Sequence, residues 1–192
     1  MEEDDRACWY PPMPTWEFRS AFPASLALPV TRVAARLGPA DARSPVGTLH
    51  VVVDREALTI PRRVYFDPGR LAGIQALPAE ERLVLTCIFS RHPDGHVREE
   101  CLRAIVGRPE PWVAPFVIQP VGEYVMEIIQ VVRSSLDTLN RGTYKKFVDT
   151  NRPFLELTRQ RAISFWNIHF RREFPDRVGC PSFEVLHHLD AL

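Results

Sequence analysis

The stretch "AEERLVLTCIFSRHPDGHVREECLRAIVG", residues 79–107, decides the fold. Pro78 stands just before it, and Glu80 and Glu81 fill the first turn. Proline and acids suit a helix N-terminus, whose aligned peptide dipoles leave it positive. Leu83, Leu85, Cys87, Ile88 and Phe89 then supply a largely buried face. "HPDG" breaks the pattern, because Pro93 and Gly95 are strong punctuation. Val97, Cys101, Leu102 and Ile105 resume it on one face until Gly107 and Pro109. Two helices around a short turn make the chain mainly α.

Downstream, "PWVAPFVIQP" carries Pro111, Pro115 and Pro120, so any helix there is short or kinked. In "VGEYVMEIIQVVRSSLDTL", Val121, Tyr124, Val125, Ile128, Ile129, Val132 and Leu136 fall at three- and four-residue steps. That spacing predicts one long amphipathic helix over about 121–139. A short helix follows, with Tyr144, Phe147 and Val148 inward. Asn151 then caps a helix that has Pro153 just inside and runs to about Phe174. Phe154, Leu155, Ala162, Phe165, Trp166, His169 and Phe170 are expected on its inner face. The last residues hold a loop and one more short helix.

Upstream lies the clearest β pattern, "TLHVVVDREALTIPRRVYF", residues 48–66. Leu49, Val51 and Val53 alternate with their neighbours, and Leu58 and Ile60 repeat the alternation after Asp54-Arg55-Glu56, which reads as a hairpin. Pro61 cannot donate to a ladder, so the second strand is an edge or is bent there. A lone hairpin is marginal in water and must pack on helices. Residues 25–38 predict a short helix after Pro29, stopped by Gly38. Residues 1–24 read as a proline- and aromatic-rich arm. Pro11, Pro12 and Pro14 forbid regular helix there, and Trp9, Tyr10, Trp16 and Phe18 are too apolar for a solvated tail. The expected architecture is therefore an α+β domain over 25–192. It is a helical bundle, or helical pairs, over 78–192 packed with one hairpin at 48–66.

The totals exclude more than they assign. The 192 residues are 45% hydrophobic and 25% charged, with zero formal net charge. No global field points to nucleic acid, a membrane or an acidic substrate. Of 24 basic residues, only Lys145 and Lys146 are lysine, which reads as the codon bias of a GC-rich genome. Cys8, Cys87, Cys101 and Cys180 are scattered rather than paired, so free thiols in a reducing cytoplasm are expected. The acidic N-terminus lacks the apolar core of a signal peptide, and no long apolar run predicts a membrane span.

"HPDGHVREECLRAIV" resembles the inter-helix turn and second helix of a HEAT-like repeat, through D-G-x-V-R followed by L-x-x-I. The resemblance covers residues 79–107 only, and "PWVAPFV" departs from it. It implies that Asp94 caps the second helix, that Val97, Leu102 and Ile105 face neighbouring helices, and that Arg98 lies on the rim. The family implies stacked helical pairs that bind protein or nucleic acid.

Several clusters carry chemistry. Cys87, His92, His96 and Cys101 form a near-symmetric set of metal-capable side chains. Structural zinc, however, favours ligand pairs two to four residues apart, and a cysteine among Leu and Ile is more often a small apolar group. Residues 141–177 hold nine basic against four acidic residues, a local excess of +5. Lys145, Lys146, Arg159, Arg161, Arg171 and Arg172 are the phosphate-binding candidates, with Tyr144, Trp166 or Phe170 available to stack. Glu123 and Glu127 sit one turn apart and read as a solvated face. No phosphate loop, G-x-S-x-G or H-E-x-x-H is present.

The expectation is a non-enzymatic protein-interaction or adaptor domain without cofactor. It would work through a helical surface and the arm, on a protein partner or its own copies. The alternatives are nucleic-acid binding through 141–177 and, less favoured, a zinc-binding domain.

Overall fold

The computed structural model describes residues 18–38 and 47–192. Helix α1 (Ala27–Leu37) precedes a hairpin of β1 (Thr48–Val53) and β2 (Glu56–Pro61). There follow α2 (Ala79–Phe89), α3 (Gly95–Ile105), α4 (Ala114–Ile118), α5 (Met126–Arg133), α6 (Arg141–Thr150), α7 (Arg152–Phe165) and α8 (Pro181–Asp190), joined by 3-10 turns. This is the mainly α fold with one β-hairpin that the sequence predicts.

Trp9, Tyr10 and Trp16 of the expected arm lie outside the described residues, and Phe18 opens a 3-10 turn. Ala21 and Phe22, inside the span read as arm, belong to the core. The Phe22 ring stacks on Phe116 at 5.6 Å and meets the edge of Trp112 at 5.4 Å. Helix α1 starts two residues before Pro29, because a first-turn proline gives up no helical hydrogen bond. Gly38 ends it at φ 62°, donating its N–H to the Ala34 carbonyl.

The hairpin register pairs Thr48 with Pro61, His50 with Thr59 and Val52 with Ala57. Its two-residue turn holds Asp54 and Arg55 at φ 48° and 72°, the sign that matches the twist of paired strands. Leu49, Val51, Val53, Leu58 and Ile60 face the core. At Val52 the outer edge of β1 is paired by a side chain. Asn151 accepts the Val52 N–H at 2.7 Å and donates to the Val52 carbonyl at 2.8 Å. Val52 therefore turns its backbone outward, and so by alternation do Thr48 and Pro61. Pro61 costs the ladder nothing because its missing N–H would have pointed away from β1. Asn151 was expected to cap α7. Its side chain makes no cap bond and instead ties the α6–α7 junction to the sheet, with a further bond to the Phe147 carbonyl at 2.9 Å.

The helical hairpin forms as expected. Asp94 accepts the His96 N–H and caps α3, and Leu102 and Ile105 are buried. Arg98 departs from the HEAT-like expectation, for it is 2% exposed rather than on a rim. The prolines of 111–120 stand in the first turns of short helices, all of them buried from Trp112 to Gly122.

The long helix expected over 121–139 is broken. A 3-10 turn (Gln119–Gly122) ends at Glu123, which is fully extended, and α5 begins only at Met126. A second 3-10 turn covers Leu136–Thr138. Glu123 is drawn inward by Arg63, which a continuing helix would not allow. Gly122 meets α7 so closely that a Cβ there would lie 2.9 Å from the Thr158 carbonyl oxygen. That contact fixes the break in place.

Gly122→Ala is accordingly expected to cost about 1–3 kcal/mol, since backbone must shift to admit the methyl group. Asn151→Ala should cost a similar amount, about 1–3 kcal/mol, by leaving the Val52 amide and carbonyl unpaired. Urea denaturation of each variant against the parent chain measures both.

Candidate functional site

Three segments converge behind the break. Arg63 follows β2 on an extended stretch that is pinned to the end of α2, where the Val64 N–H donates to the Arg91 carbonyl at 3.0 Å. Arg91 sits just past α2, and Arg98 on the first turns of α3. Glu123 lies at their centre and is 1% exposed. Arg63 grips it with two hydrogen bonds, of 2.8 and 2.6 Å. Arg91 Nη1 and Arg98 Nε stand 3.7 Å from its two oxygens. Arg98 also donates to the His92 and Pro93 carbonyls at 2.8 and 2.7 Å, closing the α2–α3 turn.

The electrostatics follow from that crowding. Burial alone would push the Glu123 carboxyl up, but Arg63, Arg91 and Arg98 together hold it below the usual carboxylate range. Burial pushes the Arg91 guanidinium down to about 9 against the pull of Glu123, which leaves it charged at neutral pH. Glu123 is thus the counter-ion of three guanidiniums, those of Arg91 and Arg98 buried and that of Arg63 partly exposed. It is not the solvated partner of Glu127, which is exposed on α5.

Directly outside lies an aromatic face. Tyr124, 52% exposed, packs on Phe165 at 5.6 Å and on His169 at 5.9 Å, and those two rings lie 6.0 Å apart. Phe165 ends α7, and His169 belongs to the π-helical turn Trp166–Phe170 that continues it. Such turns interrupt a helix and redirect its side chains. His169 is exposed and Phe165 only half-buried, where both were expected on the inner face. Ile168, 69% exposed, lines an adjoining depression with Asn167, His169, Arg171 and Arg172. Arg161 donates to the Gly122 carbonyl at 3.2 Å and borders the same face.

The chain matches no known protein-family model, no curated protein and no solved structure.

The four metal-capable residues have other engagements. The hydrogen-bond pattern of His92 puts a ring proton on Nε2, 3.0 Å from the Phe66 carbonyl, while Nδ1 accepts the Asp94 N–H at 3.1 Å. His96 is exposed on the far side of the cap. Burial pushes the Cys87 thiol well up and the Cys101 thiol to about 12, whereas zinc is held by thiolate. Among the described residues, no group of three or more His, Cys, Asp or Glu is placed to hold a metal ion.

The basic stretch 141–177 is largely answered from within the chain. Lys146 meets Asp54 at 2.6 Å, Lys145 meets Asp149 at 3.5 Å, and Arg159 chelates Asp190 at 2.9 and 2.8 Å. Arg171 lies over the Trp166 ring at 5.7 Å. Trp166 is buried, donates to the Phe174 carbonyl and carries Arg177 on its face at 4.5 Å, and Tyr144 is 1% exposed. Neither ring is open for a base to stack on. Of the six basic candidates, Arg161, Arg171 and Arg172 border the aromatic face.

Sequence reasoning missed Arg63 and Arg91 and placed Glu123 on a solvated face. The one signal was Arg91 itself, a charge inside the apolar run "TCIFSRH".

Glu123→Gln should destabilise the chain by about 3–5 kcal/mol, the cost of stranding buried charges. The pH dependence has a definite sign. The folded carboxyl titrates below its unfolded value of about 4.3, so the stabilisation is complete above that value. It is lost as pH falls through the folded value. Urea midpoints across the acid range should fall more shallowly with pH in Glu123→Gln than in the parent chain.

Proposed function

We propose that the protein is a non-enzymatic interaction domain that binds an acidic protein segment carrying apolar side chains. The observation that carries this reading is the Tyr124–Phe165–His169 cluster. Three rings pack on one another at the surface, with Tyr124 half-exposed and Ile168 beside them. Aromatic rings at a surface are costly to solvate and are enriched where proteins bind. Arg171 and Arg172 border the cluster, so the complementary segment is acidic. The rigid hub beneath supports it, because Glu123 is the residue before Tyr124. The N-terminal arm is the second proposed contact. It is aromatic and acidic, "MEEDDRACWY", and a second copy of the chain would present that complement.

Nucleic-acid binding is the competing reading, and the ion pairs of Lys145, Lys146 and Arg159 weigh against it. They leave fewer free cations for a phosphate backbone.

A Tyr124→Ala/Phe165→Ala double variant tests the proposal. Wild-type protein cross-linked in its native cell gives a captured partner, identified by mass and then purified. The double variant should bind that partner at least tenfold more weakly while its unfolding midpoint moves little. Unchanged affinity would remove the aromatic face from the function. Steeply salt-dependent binding of a single-stranded oligonucleotide, lost in Arg159→Gln/Arg161→Gln/Arg171→Gln/Arg172→Gln, would establish the nucleic-acid reading instead.

A further inference from the structure

The charge at the hub does not close. Among the described residues, Arg63, Arg91 and Arg98 surround the Glu123 carboxylate; Arg63 is 19% exposed, while Arg91 and Arg98 are 0% and 2% exposed, so the buried guanidiniums outnumber the buried carboxylate by one. Arg63 is satisfied by its two bonds to Glu123. Arg91 is the opposite case. It is 0% exposed, and none of Nε, Nη1 and Nη2 has a hydrogen-bond partner among the described residues. Its ion-pair partner, Glu123 Oε1, is 3.7 Å from Nη1, beyond hydrogen-bond reach. Arg98 Nε, 3.7 Å from Glu123 Oε2, is likewise unbonded among the described residues.

A guanidinium carries five N–H donors and does not give up its proton near neutrality. Buried donors left without acceptors cost free energy, and the 3.7 Å ion pair with Glu123 supplies Arg91 with charge but no hydrogen bond. The Cys87 and Cys101 thiols feel the same guanidinium, but a thiol is a weak acceptor and neither is ionised. Water would satisfy donors and leave the charge surplus in place. An anion answers both needs. Because every Arg91 nitrogen is closed to solvent, the smallest anions fit best.

We propose that Arg91 and Arg98 bind a small inorganic anion of the halide class beside Glu123, and that this ion is a structural cofactor of the fold. Its hydrogen-bond donors are the free Arg91 nitrogens, and Arg98 adds positive charge beside it. It completes the neutralisation of the site where the 62–66 stretch, the α2–α3 turn and the break at Glu123 meet.

Thermal unfolding of the full chain in sodium chloride and in sodium gluconate, at equal ionic strength, reads the site. Gluconate is too large to enter. The midpoint should rise with chloride and not with gluconate, by about 5–10 °C at a hundredfold excess over the dissociation constant. Arg91→Met should abolish the difference between the two salts. Equal midpoints in both salts, the result for a site filled by water alone, overturn the proposal. So does an undiminished chloride effect in Arg91→Met. Should that variant not fold, chloride-35 line broadening of the wild-type protein decides. Excess broadening that bromide displaces supports the site, and broadening no greater than for free chloride overturns it.

Discussion

One buried carboxylate organises this molecule. Glu123 lies where the extended stretch after the hairpin, the α2–α3 turn and the break before α5 come together, and it bonds or faces an arginine from each neighbouring segment. Ion pairs of this kind are weak net stabilisers, because the cost of desolvating both partners offsets most of their attraction. Their force is directional. Apolar side chains would fill the same volume in many arrangements, whereas a carboxylate with two oxygens and a guanidinium fork accepts few. The bidentate grip of Arg63 therefore sets how the hairpin stretch meets the helices. The Arg98 bonds to His92 and Pro93 then lock the turn that presents Arg91.

The fold was legible wherever a periodicity stood alone. The alternation in 48–61 gave both strands, and the break at Asp54-Arg55 gave the turn, because strand pairing is local. The α2–α3 hairpin was legible because proline, glycine and a capping Asp94 mark its ends. The span 121–139 misled because apolar spacing counts which faces can be buried and ignores what interrupts them. Val121, Val125, Ile128 and Val132 do carry helical spacing, and Val121, Ile128 and Val132 are buried. The interruption comes from Gly122, pressed against α7, and from Glu123, pulled by a residue 60 positions earlier. Neither partner is visible in a window of neighbours.

The candidate site was less legible for the same reason. A charge in a sequence reads as solvated until its partner is known, so Glu123 and Arg98 were placed outside and Arg63 was not singled out. The excess of arginine in 141–177 was real as composition. Its residues divide between internal ion pairs and the border of the aromatic face, a division set by Asp54 and Asp190 from distant parts of the chain. Phe165 and His169 read as core because they keep the helical step. Phe165 is only half-buried at the end of α7, and the π turn that follows carries His169 out beside it and Tyr124.

The Asn151 amide bears on how the chain reaches this state. It stands in for a third strand along β1, yet it is 99 residues away from Val52. During synthesis, the hairpin emerges long before the helix junction that will shield it. Until then β1 presents open backbone groups, the kind of template on which other strands assemble. The Asn151 side chain thus protects the middle of that edge, at Val52, only once the α6–α7 junction has been made.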